Sequence, residues 1–144
     1  MRLALPLLAL LTLAACDTAS SLLDPQRVRV SSLSHDPGEL VGTWALETVT
    51  PSGECTGPDC TRTRPASELG WSEQIVFRAD GTATVTTTTD QGVTERTEGY
   101  AVSESLAAPR LTIGTREEPF GVDGPQLFLD SRYVDGPLLE YRRR

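Results

Sequence analysis

The sequence has few of the side chains on which catalytic and metal sites usually depend. Its 144 residues include a single histidine, His35, three cysteines and no lysine, so every basic side chain is an arginine. One histidine makes histidine-based catalytic triads and zinc sites of cysteine and histidine unfavourable. The sequence also contains no G-x-S-x-G, H-E-x-x-H or glycine-rich phosphate-binding motif. We therefore expect no enzyme activity, no metal and no cofactor.

Net positive charge and long apolar runs are absent as well. The formal net charge is −7, whereas a nucleic-acid-binding domain requires a basic face, so we expect no nucleic-acid partner. The apolar run over residues 3–13 is shorter than the roughly 20 residues that a membrane-spanning helix needs, and no later run approaches that length. Because no stretch shows convincing helical periodicity either, the sequence argues against a helical domain.

The segment MRLALPLLALLTLAAC at the start of the chain has the order of a secretory signal: Arg2, an apolar run, and then small residues. Residues 13–16, Leu-Ala-Ala-Cys, resemble the lipobox of bacterial lipoproteins. This resemblance implies cleavage between Ala15 and Cys16 and several acyl chains, palmitate among them, on Cys16. Two or more such chains hold a protein stably on a membrane.

The same resemblance implies a place in the bacterial cell envelope, with Cys16 anchored in the inner or outer membrane and the domain facing the periplasm or the cell surface. Asp17 favours the inner membrane in enterobacterial lipoproteins, but the rule varies between bacteria and leaves the leaflet open. We divide the chain into a signal peptide (1–15), the lipidated cysteine with a tether (16–37) and a folded domain (38–144). Within the tether, the alternating segment RVRVSSL leaves an edge strand open as an alternative.

With Cys16 lipidated, Cys55 and Cys60 form an even pair in an oxidising compartment, where disulfides persist. Gly57 and Pro58 lie between them and favour a turn that brings the two cysteines close enough to bond. We predict a structural disulfide. Free thiols, a metal site and a redox pair are the alternatives, although zinc requires two further ligands and redox pairs more often have the C-x-x-C spacing.

The domain is predicted to consist of short strands and turns. Asp36 and Pro37 predict a single helical turn before the first strand. In TWALETV, the side chains of Trp44, Leu46 and Thr48 share one face, which is the period-two pattern of a half-buried strand.

The segment EQIVFRADGTATVTTTT predicts a hairpin, because Ile75 and Phe77 share a face and Asp80-Gly81 supplies a tight turn. The segments VTERTEGYAVS, RLTIGT, QLFLDSRY and PLLEYRR continue the pattern of strands and turns. Seven or eight strands of this kind predict an all-β fold, either a small antiparallel up-and-down β-barrel or a sandwich, and we favour the barrel. Closure of a barrel removes free strand edges, which invite aggregation.

Gly42-Thr43-Trp44 on the first strand resembles the G-x-W signature of lipocalins, and residues 39–144 resemble the small lipocalin-like domains of bacterial lipoproteins. The segments VFRADGT, YAVSESLAAPRLTIG and LLEYRRR resemble the strand order of those domains. In lipocalins the tryptophan closes the base of the barrel and packs under an arginine from the last strand. The resemblance therefore implies that Trp44 and either Arg142 or Arg143 close this barrel.

The acidic residues of the second half of the domain are interpreted as turn residues. Glu117 and Glu118 lie beside proline and glycine, which favours a solvated turn over an acid/base pair. Asp123, Asp130 and Asp135 also have glycine or proline neighbours, so ordinary turns are favoured over a calcium site.

Two functions are compatible with a barrel that has a binding or structural role. A small-molecule carrier would hold an apolar ligand in the barrel interior. The residues expected to line that interior are Leu46, Ile75, Phe77, Val85 and Tyr100. The alternative is that these side chains fill the core, as they usually do in small barrels.

The second function is a protein-binding module of the envelope, such as an inhibitor of a periplasmic or secreted enzyme. Some bacterial protease inhibitors are also small eight-stranded barrels with one disulfide, and this chain is similar to them in that outline. The contact surface would be the loop at 51–70, with Arg62, Arg64 and the adjacent Trp71, since rigid scaffolds commonly present function on loops. In the alternative, the loop caps one end of the barrel, or Trp71 closes its mouth.

Overall fold

The computed structural model describes residues 30–52, 62–103 and 109–144. Within these residues the chain forms nine β-strands, one short α-helix and three 3-10 turns. The strands are β1 (Gly42–Thr50), β2 (Arg64–Pro65), β3 (Ser72–Phe77), β4 (Thr82–Thr89), β5 (Gly92–Ser103), β6 (Arg110–Ile113), β7 (Arg116–Asp123), β8 (Gln126–Asp130) and β9 (Leu138–Arg143). The helix α1 is Pro37–Leu40, and the 3-10 turns are Val30–Ser32, Ala66–Leu69 and Arg132–Val134.

All three cysteines lie outside the described residues. Lipidation of Cys16 and a disulfide between Cys55 and Cys60 therefore stay predictions from the sequence. The signal peptide at 1–15 also lies outside the described residues.

The strands form one closed antiparallel barrel. Each strand from β3 to β8 pairs with the next strand along the chain, β1 pairs with β3, and β9 returns to pair with β1. The two-residue strand β2 pairs with β1 at Thr48 and Val49 and is an addition to the eight strands of the wall. The predicted all-β fold, a small antiparallel up-and-down barrel of the lipocalin-like kind, is thus confirmed.

Alternate side chains of the wall strands face inward and form one continuous apolar core. In β3, for example, Ile75 and Phe77 are buried, whereas Gln74 between the inward positions is exposed. A barrel of eight strands is just wide enough for its inward side chains to fill it. The buried members of this core are Leu40, Trp44, Leu46, Val49, Ala66, Ile75, Phe77, Ala83, Val85, Leu111, Ile113, Phe120, Val122, Leu127, Leu129, Leu139 and Tyr141.

A β-bulge in β1 changes which residues face the core. The pairing of β1 with β9 shifts register between Leu46 and Thr48. As a result Val49 is buried in the core, whereas the Thr48 hydroxyl donates a hydrogen bond to Glu140 Oε2 at 3.0 Å outside it. The prediction that Thr48 shares a face with Trp44 and Leu46 is wrong, because one extra residue in a strand moves the side chains that follow it to the opposite face.

Connections alternate between the two ends of the barrel, because consecutive strands run antiparallel. We call the end with α1 and the connections after β3, β5 and β7 the base, and the end with the connections after β1, β4, β6 and β8 the rim. The base contains both turns that the sequence predicts best. Asp36 caps α1 by accepting a hydrogen bond from the Gly38 N–H at 2.8 Å, and Asp80 accepts one from the Thr82 N–H at 2.9 Å in the β3–β4 turn.

Residues 30–36, which we call the strap, pack along the outside of the wall. Ser34 exchanges two backbone hydrogen bonds with Val122 of β7, at 3.1 and 2.8 Å. Val30 is buried together with the outward side chains of Phe128 and Leu138. The strap therefore covers apolar surface on β8 and β9 that would otherwise face water.

The strap belongs to the segment predicted to be the tether. The sequence predicts a tether over residues 16–37 and a domain from residue 38, because residues 17–37 show no sustained periodicity. In the structure, His35 of this segment lies edge-on against Phe120, with ring centroids 5.3 Å apart. Residues of the strap, within the segment predicted to be the tether, thus pack against the barrel.

Gly121 of β7 permits the close approach of the strap. A Cβ atom at this position would lie 2.7 Å from Leu33 Cβ and 2.8 Å from the Val30 carbonyl oxygen. We therefore expect Gly121→Ala to displace the strap and to lower the free energy of unfolding by about 1–3 kcal/mol, as overpacking usually does. Chemical denaturation measures the loss, and hydrogen exchange at the Ser34 amide reports on the strap.

A matched control is Gly99→Ala in β5, where the nearest atom to the added Cβ is the Gly81 carbonyl oxygen at 4.0 Å. This variant should keep wild-type stability and Ser34 protection. Equal behaviour of the two variants would contradict the proposed contact between the strap and Gly121.

Candidate functional site

The base of the barrel is closed by Trp44 and Arg143. The Arg143 guanidinium lies over the Trp44 ring, with its carbon 4.4 Å from the ring centroid. Arg143 also donates hydrogen bonds to the carbonyls of Val41, at 3.2 Å, and Glu39. The indole N–H of Trp44 donates to the Leu40 carbonyl at 2.7 Å. A cation over an aromatic ring, tied to the backbone of the entering chain, seals this end.

Arg142 has a different place from Arg143. Its side chain lies on the outer surface, where its Nε is 2.9 Å from the carboxylate of Glu47 on β1. The sequence left Arg142 and Arg143 as equal candidates for the contact with Trp44. The structure separates them because neighbouring residues of a strand face opposite sides of the wall.

The structure brings the predicted ligand-lining residues together inside the barrel. Leu46, Ile75, Phe77 and Val85 are buried in one core. Tyr100 is partly buried against that core, with its ring edge-on to Phe77 at a centroid distance of 4.9 Å. These side chains pack in one core, and the exposed fractions of the four buried ones are as low as is usual for core residues. The apolar part of the interior is therefore occupied by the protein itself.

Above this apolar core, toward the rim, the interior holds a group of polar side chains that the sequence analysis missed. We call this group the interior polar cluster, and its members are Glu73, Thr87, Arg116, Glu118, Ser131 and Tyr141. Several wall strands contribute, and sequence separations of 43 to 68 residues join Glu73 to its partners Arg116 and Tyr141. The one available signal was strand alternation, which aligns Glu73 with the inward-facing Ile75.

The carboxylate of Glu73 is the centre of the cluster. Tyr141 donates its hydroxyl proton to Glu73 Oε1 at 2.6 Å, and Thr87 donates to Oε2 at 3.2 Å. Arg116 adds a longer, charged hydrogen bond from Nη1 to Oε1 at 3.4 Å. Because a buried carboxylate is costly unless it is bonded, these three donors account for the position of Glu73 inside the wall.

Glu118 is the second carboxylate of the cluster. Its Oε2 lies 2.8 Å from Arg116 Nη2, and its Oε1 accepts a hydrogen bond from the Ser131 hydroxyl. Oε2 is fully buried and its contact with Arg116 lacks the angles of a hydrogen bond, so the ion pair is what compensates its burial. Two carboxylates thus share one guanidinium.

The prediction that Glu117 and Glu118 form a turn is wrong for both residues, and the prediction that they are solvated is wrong for Glu118. Both residues belong to β7, and their side chains are 52% and 13% exposed, respectively. Proline and glycine nearby are typical of turns, but pairing with β6 and β8 keeps this segment extended. Alternation along the strand then places Glu118 inside.

The charges of the cluster set the protonation of two of its members. Burial raises the pKa of Tyr141 well above its ordinary value, and the negative charge of Glu73 raises it further. Burial by itself lowers the pKa of Arg116, but the acidic neighbours Tyr141, Glu118 and Glu73 outweigh burial and raise it. Tyr141 therefore acts as a neutral hydrogen-bond donor, and Arg116 stays charged. The donors and acceptors of the cluster bond one another.

The rim carries the exposed apolar side chains of the described part of the chain. Four large hydrophobic residues there are strongly exposed, and all four lie in or next to connections at the rim. They are Leu69 (41%), Val93 (66%), Tyr133 (52%) and Val134 (61%). The exposed large hydrophobic residues of the described chain are therefore concentrated at one end of the barrel.

Tyr133 is held in a defined position on the rim. The guanidinium carbon of Arg110 lies 4.8 Å from the centroid of its ring, and Arg110 Nη1 donates to its hydroxyl at 2.9 Å. Glu117 lies 3.4 Å from Arg110 Nε and orients the guanidinium in turn. Tyrosine and arginine are the residue types that most often dominate the energy of protein interfaces.

The predicted contact loop is only partly described, because residues 53–61 lie outside the described part. Arg62 is exposed, and Arg64 is paired with Glu68 at 3.7 Å. Trp71 is partly buried and packs against the barrel core beside Ala66. Trp71 thus covers the core from the rim rather than standing free on the surface.

The described residues contain no group of three or more His, Cys, Asp or Glu side chains arranged to hold a metal ion. Asp123 and Asp130 lie at opposite ends of the β7–β8 hairpin, and Asp130 bonds the Arg132 guanidinium at 2.7 Å. Asp135 occupies a left-handed turn position with a φ of 59°. Among the same residues, no helix has the length and apolar character that crossing a membrane requires.

Comparisons with known proteins give this chain no family. No protein-family model, no curated protein and no solved structure matches it.

The cluster leads to a prediction for Tyr141→Phe. Loss of the hydroxyl removes one donor from the buried Glu73 carboxylate and should lower the free energy of unfolding at pH 7 by about 1–3 kcal/mol. The folded pKa of Tyr141 lies above the unfolded value, so its contribution is complete below about pH 10 and is lost as pH rises toward the folded pKa. Wild type should therefore lose stability above about pH 10 more steeply than the variant.

Urea denaturation at pH 7 and above about pH 10 measures the free energy of unfolding of wild type and variant. Tyr133→Phe is the control, because its exposed hydroxyl should be worth less than about 0.5 kcal/mol. If Tyr141→Phe matched wild type at pH 7 and in the slope of its alkaline limb, the assigned role of the Tyr141 hydroxyl would be wrong.

Proposed function

We propose that this protein is a lipid-anchored lipoprotein of the bacterial envelope whose barrel binds another envelope protein through its rim and catalyses no reaction. The observation that carries the proposal is the location of the exposed large hydrophobic residues of the described chain, all at the rim. The base, in contrast, is sealed by Trp44 and Arg143. One end of the barrel is therefore available for recognition.

The chemistry of the rim favours a protein partner. Tyr133 and Val134 provide apolar area, and Arg110 offers charged donors beside them. The barrel wall beneath is rigid, because nearly every strand is paired on both sides, so little ordering is needed on contact. Loops on a rigid scaffold are the usual place for such recognition.

The interior supports this function over that of a small-molecule carrier. An apolar ligand in the barrel would have to displace buried side chains such as Phe77 and Ile75. Toward the rim it would meet the charged pair Arg116 and Glu118 instead of apolar surface. Both steps cost free energy that a carrier with a preformed cavity avoids.

The lipid anchor is proposed from the lipobox at residues 13–16. Extended chain between Cys16 and Val30 can span at most about 50 Å, which limits the distance between the anchor and the barrel. An envelope location also agrees with the predicted disulfide between Cys55 and Cys60, since disulfides persist in oxidising compartments.

The anchor can be tested with Cys16→Ser in the native bacterium. Wild type should fractionate with membranes and incorporate labelled palmitate, because acyl chains contribute about 0.8 kcal/mol for each buried methylene. The variant should lose both properties. Cys55→Ser together with Cys60→Ser is the control and should keep them, and unchanged fractionation of Cys16→Ser would refute the anchor.

The rim can be tested by photocrosslinking from defined positions in the native bacterium. A photoreactive residue at Val134 should trap one envelope protein, whereas the same residue at Asp123, which is exposed at the base, should not. Adding Tyr133→Ala should reduce trapping about tenfold or more, the usual effect of losing an interface hot spot. Trapping of equal strength from both ends would contradict recognition through the rim, and a bound small molecule in native mass spectrometry would favour the carrier.

A further inference from the structure

The strand β5 has an unpaired edge in the half that lies toward the rim. Over residues 92–99 it pairs with β4 on one side. On its other side, β6 pairs only with residues 100–103. Among the described residues no strand lies beside 92–98 on that side, and we call this stretch the β5 edge. It arises because β5 has 12 residues and β6 has 4.

The hydrogen-bond register shows which backbone groups this edge offers. The Tyr100 N–H donates to the Gly81 carbonyl on the β4 side at 2.8 Å, and the Gly99 carbonyl accepts from the Gly114 N–H on the β6 side at 3.0 Å. In an antiparallel pair the direction alternates with each residue. Val93, Glu95 and Thr97 therefore direct their N–H and carbonyl groups away from β4.

The surroundings of the β5 edge are open. Residues 92–97 are exposed along their whole length, so side chains on both faces of this ribbon lie in solvent. Val93, the most exposed large hydrophobic residue of the described chain, belongs to this edge. Unpaired edges of this kind are templates for an added strand.

We propose that the β5 edge binds an extended, net basic segment of the partner protein as an added β-strand. This inference rests on the proposed function, since it specifies the conformation and the charge of the partner segment that binds at the rim. Backbone hydrogen bonds from Val93, Glu95 and Thr97 would hold the segment, as in other cases of strand addition.

Charge selects a basic segment. Residues 90–98 carry three carboxylates, on Asp90, Glu95 and Glu98, and one guanidinium, on Arg96. The Arg96 guanidinium already lies 3.8 Å from Glu98, so Glu95 and Asp90 determine the charge that an incoming strand meets. Opposite charges at directly opposed positions stabilise a strand pair, and like charges destabilise it.

The same charges disfavour a second copy of this chain as the occupant. Two copies paired antiparallel in register over residues 92–98 place Glu95 opposite Glu95. A shift of the pairing by two residues places Arg96 opposite Arg96 in one direction and Asp90 opposite Glu98 in the other. Like charges at the centre of the ribbon are a common protection of edge strands against self-association.

The first measurement is residue-resolved hydrogen exchange by NMR on the full mature chain carrying Cys16→Ser. The amides of Val93, Glu95 and Thr97 should exchange at least about tenfold faster than those of Thr94 and Arg96, which are bonded to β4. Protection of the first three in the isolated chain would mean that the edge is already covered and would overturn the proposal. Protection that rises with protein concentration would assign the edge to a second copy and would overturn it too.

The second measurement adds a synthetic peptide, Thr-Val-Thr-Lys-Thr-Val-Thr, whose sequence reads the same in both directions, at millimolar concentration. The amides of Val93, Glu95 and Thr97 should slow at least about threefold and shift. The same peptide with Glu in place of Lys should bind more weakly because of Glu95. A version methylated on alternate backbone nitrogens cannot form the ladder and should not bind.

A matched pair of protein variants completes the test. Thr97→Pro removes an edge N–H without removing a bond to β4, and proline is tolerated on edge strands. Thr97→Val keeps that N–H and loses the same hydroxyl contact to Thr84. The proline variant alone should lose peptide binding. Absence of binding to wild type would overturn the strand addition while leaving crosslinking from Val134 intact, so the two proposals can fail separately.

Discussion

Closure of the barrel by β1 and β9 is the constraint on which the rest of the structure depends. These strands come from the two ends of the domain, and their pairing turns a meander into a ring with a fixed interior. The register of the pairing, including the bulge after Leu46, decides that Val49 is buried and that Arg143 stands over Trp44. The strap then covers the outer apolar surface of β8 and β9, and the exposed large hydrophobic residues of the described chain lie at the rim.

The fixed interior is divided between an apolar core and a charged cluster. A buried ion pair is weak evidence for stability, because desolvation offsets much of its attraction. Here Tyr141 and Thr87 bond Glu73, and Arg116 compensates Glu118, so the cluster holds side chains from four strands in one arrangement. Since both parts of the interior are occupied by the protein, the proposed recognition of a partner is assigned to the outside of the barrel.

On the outside, the rim and the β5 edge follow from unequal strand lengths. β5 extends beyond β6, and the excess forms a ribbon with one side that no other described strand covers. The charges on this ribbon have two proposed effects. Glu95 and Arg96 repel a second copy of the chain, and Glu95 favours a basic segment. The exposed Tyr133 lies on another rim connection, so a partner that touches both would combine side-chain contact with a backbone ladder.

Local signals in the sequence determined seven of the eight wall strands, the cap at Asp36 and the turn at Asp80, because each depends on neighbours a few residues away. They did not determine β7, whose Glu117 and Glu118 were interpreted as turn residues. The sequence also predicted the apolar residues of the barrel interior. It could not show which of Arg142 and Arg143 contacts Trp44, or that the side chain of Glu118 lies inside the barrel. Those outcomes depend on strand register and on partners far along the chain, such as Glu73 with Tyr141. The position of the strap and the unpaired β5 edge were likewise decided by tertiary structure. Only the closed wall determines which outer apolar surface the strap covers and which backbone groups of β5 have no partner among the described strands.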